Sequence, residues 1–80
     1  MARYTIRWVT YAEQQRDTLP SESRHDLEAL LNRLINDPRR QGTYDKRTEL
    51  WRTVFGYGLL TYSIEDRWVT ITVLRATWIG

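Results

Sequence analysis

An α+β fold, with two N-terminal helices packed on a mainly antiparallel four-stranded sheet in the order β-α-α-β-β-β, is predicted by three features of the sequence. Apolar residues between Leu27 and Ile35 recur at helical spacing. Residues 47–78 hold three β-rich runs separated by breaks of hairpin length. The N-terminal run at 4–9, "YTIRWV", alternates apolar with polar side chains.

The first strand, by its period of two, places Tyr4, Ile6 and Trp8 on one face and Thr5 and Arg7 on the other. Residues 10–19, "TYAEQQRDTL", suit a short helix, with Thr10 positioned to cap it and Pro20 to close it. The stretch "PSESRHDLEALLNRLINDP" then sets Leu27, Leu30, Leu31, Leu34 and Ile35 at i, i+3, i+4, i+7 and i+8, the stripe of an amphipathic helix. Burying these side chains contributes roughly 7 to 15 kcal/mol before conformational entropy is charged against it. Asn36-Asp37-Pro38 stops the helix, because the residue before a proline is pushed out of helical geometry. Residues 39–46, "RRQGTYDK", read as a loop. Strands are expected at 47–55, 59–65 and 68–78, joined through Gly56-Tyr57-Gly58 and Asp66-Arg67 into an antiparallel meander. In the last of these Val69, Ile71 and Val73 alternate with Thr70 and Thr72, so one face meets the helices and the other meets solvent or a ligand.

A chain of 80 residues makes one domain, residues 1–80, that buries only about 60% of its unfolded surface. It has no cysteine, so disulfides do not supplement a thin core. Four Trp, five Tyr and one Phe supply contact area for a core or for a binding surface. No segment has the apolar length of a membrane span, and the N-terminus lacks the apolar run of a signal peptide, so a cytoplasmic protein without a membrane partner is expected. The net charge is only +2, yet Lys46 is the single lysine among twelve basic residues. Arginine's planar fork suits phosphates and carboxylates, and a mild basic excess permits nucleic-acid binding without requiring it.

Most enzyme templates fail on these residues. His25, between Arg24 and Asp26 and off the apolar stripe, reads as a solvated helix residue, and no serine is placed beside it as a nucleophile. Gly56-x-Gly58 is too short for a phosphate loop and has no following helix, so it reads as a hairpin turn. Glu65-Asp66 reads as a hairpin end. No metal cluster or cofactor motif stands out, and no cofactor is expected. What remains is arginine interleaved with aromatics. With Arg52 and Arg75 on the solvent side of the sheet, and Arg39, Arg40, Lys46 and Arg47 on the adjoining loop, a cationic concave surface can hold a phosphate backbone. Tyr57, Tyr62 or Trp78 can stack on a base. The competing reading makes each Arg a solvated strand residue and each Trp a packing residue.

The run "ELWRTVFGYGLLTYSIEDRWVTITVLRA" resembles the RelE/ParE toxin superfamily of type II toxin–antitoxin systems. Leu50-Trp51-Arg52, Gly56, Tyr62 and Val69 to Arg75 carry the likeness, together with the first strand and the leucine-rich helix. The resemblance implies a toxin that cleaves mRNA on the ribosome and pairs with a cognate antitoxin, Trp8 and Trp51 forming part of that interface. Catalysis would then rest on Arg52 and Arg75, with RNA held by Lys46, Arg47, Arg39, Arg40, Tyr57 and Tyr62. One departure stands against it. RNA-cleaving members usually carry an Arg three residues before the Tyr of the strand after the turn, and here that position is Leu59. A second family Arg falls near Ile79. The alternative implied by these losses is a ParE-like toxin that binds DNA gyrase, or a catalytically inactive relative that only engages an antitoxin.

Overall fold

The computed structural model describes residues 3–79. Along the chain run β1 (Thr5–Trp8), α1 (Thr10–Asp17), α2 (Ser21–Leu34), β2 (Thr43–Asp45), β3 (Leu50–Phe55), β4 (Gly58–Glu65), a short 3-10 turn (Asp66–Trp68) and β5 (Thr70–Trp78). The sheet has five strands in the order β1-β5-β4-β3-β2. The expected meander is present as β3-β4-β5, and both helices have the expected extents to within a few residues. The strand count and pairing correct the sequence reading in two ways.

First, a fifth strand lies inside the segment read as a loop. β2 is only three residues long and pairs antiparallel with β3. It is held mainly by tertiary contacts: Tyr44 packs on Trp51 with ring centroids 5.2 Å apart, and the Thr53 hydroxyl donates to the Gln41 carbonyl. Gly42 lets the chain pass this close, since a Cβ there would sit 2.5 Å from the Tyr62 hydroxyl and 2.7 Å from the Arg52 carbonyl oxygen. Second, β1 joins the sheet parallel to β5, making the sheet mixed. The two helices supply the crossover that a parallel pair requires.

Smaller corrections concern the helix and hairpin ends. Thr10 is the first residue of α1 rather than its cap; Val9 holds the cap position and no side chain bonds there. The break after β4 is longer than Asp66-Arg67, because Trp68 closes the 3-10 turn and Val69 adopts a left-handed conformation at φ 48°. That geometry costs a β-branched residue about 1 to 2 kcal/mol. It is held by Val69 N–H donating to Asp66 O at 3.1 Å and by Thr5 N–H donating to Val69 O at 2.9 Å.

One face of the sheet is covered. Leu27, Leu30 and Leu34 of α2, with Ala12 of α1 and Leu19 between the helices, bury against Phe55, Leu60, Tyr62, Ile71, Val73 and Ala76. Strand alternation puts these six on one side. β5 departs from strict alternation once: Thr61 faces Arg75 while Tyr62 faces Val73, so Leu74 is a bulge residue without a partner on β4. The extra residue inverts the phase of the strand. Without it Arg75 would follow Ile71 and Val73 into the core; with it Ala76 goes in and Arg75 comes out.

Candidate functional site

The uncovered face of the sheet carries a groove of about 520 Å³ across β3, β4 and β5. Its floor is a row of directly opposed residues, Arg52 on β3, Thr61 on β4 and Arg75 on β5. Leu50, Thr48 and Leu74 line one side, and Leu59 and Thr77 the other. The two arginines singled out in the sequence thus share one site, on either side of a threonine that sequence reasoning did not single out. Threonine is the default residue of a half-exposed strand, so nothing in its type marked Thr61.

The electrostatics of the row are unequal. The Arg52 guanidinium donates to Asp45 Oδ2 at 2.9 Å, while Asp45 Oδ1 accepts the Arg47 backbone N–H at 2.9 Å. Asp45 was also missed by the sequence reading, since its role depends on the unforeseen strand β2. Arg75 is exposed and has no ion-pair partner among the described residues. A hollow of about 420 Å³ adjoins the groove through Arg52 and Leu59 and is bordered by Arg40, whose own partner, Asp37, lies 3.5 Å away. Lys46 and Arg47 are exposed in the turn between β2 and β3, the turn that also supplies Thr48 to the groove.

Other expected residues lie elsewhere. Arg39 lies off the groove, beside Tyr44, Trp51 and Ile64 on the other face of the sheet, where it donates to Asp66 and to the Tyr4 hydroxyl, which in turn donates to Asp66 at 2.9 Å. These hydrogen bonds hold the Asp66 carboxyl below the usual carboxylate range and raise the Arg39 pKa further. Tyr62 is a correction: it has no exposed surface and its hydroxyl donates to the Pro38 carbonyl at 2.8 Å, so it cannot stack on a base. Burial pushes its pKa up to about 12. Tyr57 is 74% exposed at the tip of the β3-β4 hairpin. Trp78 alternates toward the helix side, beside Gln15 and Leu19 of the α1 end. Trp8 lies under Arg16, whose guanidinium carbon is 4.8 Å from the ring centroid, and Trp51 stacks on Tyr62 at 6.4 Å; both indoles are half-buried on the helix-covered face. His25 is exposed on α2.

Chemically the groove offers two guanidinium cations, one of them paired with Asp45, and hydroxyls. Among the described residues its lining contains no imidazole or carboxylate, and the carboxylate coupled to it is Asp45, through Arg52. Such a lining binds an anion and stabilises negative charge that develops on it. Leu59 lies opposite Val54, one step along the strands from the arginine row, and both are exposed.

The sequence matches no protein-family model and no curated protein. Solved structures do share its fold. The chain superposes on the toxin–antitoxin complex RelBE2 of Mycobacterium tuberculosis with a TM-score of 0.88, at 25% identity over 98% of this chain and 100% of that one. It superposes on a double arginine-to-alanine mutant of the E. coli toxin RelE in the free state with a TM-score of 0.83, at 18% identity over 98% and 84% of the two chains. For an archaeal RelE–RelB complex from Pyrococcus horikoshii the TM-score is 0.77, at 18% identity over 98% and 97%.

Proposed function

On the premise that this chain has the fold of the RelE/ParE toxin superfamily, which it resembles over nearly its whole length, we propose that it is the toxin of a type II toxin–antitoxin system. Its target in this reading is mRNA on the ribosome, and its working surface is the uncovered face of the sheet. The observation that carries the proposal is the Arg52–Thr61–Arg75 row, which sets an arginine on either side of a threonine along the floor of an open groove.

In-line attack of a ribose 2′-hydroxyl on the neighbouring phosphorus forms a 2′,3′-cyclic phosphate as the P–O5′ bond breaks, the 2′ proton passing to water and the leaving 5′-oxygen taking one from water. Charge builds on the non-bridging oxygens, and positioned arginines stabilise it more in the transition state than in the ground state. Arg52 and Arg75 fill that role, replacing an arginine absent at Leu59. Removing one such donor costs about 10²- to 10³-fold in rate. The cognate antitoxin supported by the related complexes would mask this surface. Because it binds only the folded toxin, it also stabilises it, by about 4 kcal/mol at a thousandfold excess over Kd.

The experiment is cell-free translation with purified protein, mapping new mRNA 5′ ends. Cuts in phase with codons that fall at least about a hundredfold with Arg52→Ala or Arg75→Ala support the reading. Intact mRNA in the presence of folded protein overturns it. The exposed Leu59 and Val54 favour a second reading in that event, a ParE-like toxin bound to DNA gyrase or an inactive antitoxin-binding relative, because an apolar pair suits a protein contact where a cation would suit phosphate.

A further inference from the structure

We infer that the groove is built for a single dinucleotide step of unpaired RNA, with the linking phosphate on the Arg52–Thr61–Arg75 row and the flanking bases on apolar shelves to either side. The inference rests on the RNA reading above and deepens it. On one side of the row stand Leu50 and the bulge residue Leu74; on the other stand Val54 and Leu59. Same-face neighbours along a strand are two residues apart, about 6.6 to 6.8 Å. That separation is on the scale of the reach from a backbone phosphate to its own base, so a phosphate centred over Thr61 sets one base over each shelf.

The pattern favours an occupant that carries an anion between two apolar faces. Val54 is 62% and Leu59 38% exposed, yet the apolar surface they form is interrupted by the cationic row and does not continue across the sheet. An occupant covering both shelves must bring an anion to Arg75 or bury it unpaired, at a cost of several kcal/mol. A nucleotide step supplies the anion at the centre and apolar faces at the flanks. Leu59 then has a function of its own: it exchanges a phosphate-binding position for a base-binding one. The bulge has one too, because it presents Arg75 to the phosphate and Leu74 to a base from consecutive residues.

The test measures binding of 2′-O-methyl trinucleotides, which lack the attacking hydroxyl, against an abasic backbone of the same length and charge. The wild-type chain is expected to prefer the base-bearing form by about tenfold or more, the range of one to two base contacts. The double variant Val54→Ser/Leu59→Ser removes one of the two shelves and should cut the preference by about threefold or more while leaving abasic binding unchanged. Both positions are exposed, so this variant leaves the core intact, and its thermal midpoint verifies that. Arg75→Ala should weaken both ligands alike and flatten the salt dependence. Equal wild-type affinity for the two ligands, or a preference that the double variant leaves undiminished, overturns the shelves while leaving the cationic row standing. Binding of neither ligand overturns the inference together with the RNA reading.

Discussion

The two faces of the sheet are made by the same strands and follow different rules. On the covered face Leu60, Tyr62, Ile71 and Val73 have no exposed surface, and even the phenol of Tyr62 is satisfied by a backbone carbonyl. On the open face the positions between them are Thr61, Ser63, Thr72 and Arg75, which compete for no packing space with the helices. The covered face tolerates little because its atoms are already matched to one another. The open face is free to change chemistry without changing the fold, and it carries an apolar pair, Val54 and Leu59, beside its arginines on the same strands. The difference teaches that stability and surface chemistry are separable in this fold: the covered face carries the first and the open face sets the second.

The largest separation should come from one substitution on each face. Leu60→Ala removes a fully buried side chain under the helices and is expected to cost about 2 to 5 kcal/mol, enough to unfold much of a domain this small. Arg75→Ala, on the neighbouring strand but the other face, should stay within about 0.5 kcal/mol of wild type in a urea melt. A large loss with Arg75→Ala would mean the faces are not independent.

The next test strikes the junction. Beyond Trp8, β1 no longer covers β5, and the freed Ala76 N–H donates instead to the Gln15 side-chain oxygen of α1 at 2.8 Å. Gln15→Ala leaves that donor without its partner in a half-buried place, and is expected to cost about 1 to 3 kcal/mol. Because this contact sits just past the bulge, amide exchange at Ala76 and Thr77 should accelerate more than at Ile71. Uniform acceleration would show that Gln15 does not anchor the shifted end of β5.

A smaller effect comes from Tyr62. Its folded-state pKa, about 12, lies above the ordinary value of 10.0, so the neutral phenol is the form the fold prefers. The stability this brings is fully present below pH 10 and is lost as the pH rises from there toward 12, where the unfolded chain has shed a proton that the folded chain keeps. Tyr62→Phe gives up the bond to Pro38, about 0.5 to 1.5 kcal/mol at pH 7. It should also fall less steeply in stability between pH 10 and 11.5 than wild type. Parallel pH profiles for the two proteins would place the alkaline loss elsewhere.

These sites show what the sequence made legible. The leucines of α2 and the alternation of β1 announced their faces because each is a local period, and periodicity survives without knowledge of the partner. β2 was not legible: three residues, Thr43-Tyr44-Asp45, are too few to show a period, and they become a strand only through Trp51, Thr53 and the close passage at Gly42. The parallel seating of β1 beside β5 is likewise a contact across most of the chain. For the groove, residue type and the resemblance brought Arg52 and Arg75 forward as candidates. Their shared face was not legible, because strict alternation places Arg75 inside and only the bulge at Leu74 brings it out. Arg39 looked equivalent to Arg40 in sequence, and the fold turned it to Asp66 instead.

The smallest expected effect concerns how the open face is held before a ligand arrives. Asp45 Oδ2 accepts from Arg52 at 2.9 Å, and an incoming phosphate must compete for that guanidinium. An exposed pair of this kind contributes only about 0.2 to 1 kcal/mol. Asp45→Asn removes the competing charge but keeps an oxygen that can accept the Arg47 N–H, so the turn that carries Thr48 is retained. Affinity for the abasic backbone should then rise by about 1.5- to 5-fold, with the gain shrinking at higher salt because both competitors are charged. A fall in affinity would instead show that Asp45 aims Arg52 into the groove. In that case the carboxylate acts as a positioning residue, and the half of the row on β3 depends on the short strand that no local pattern in the sequence announced.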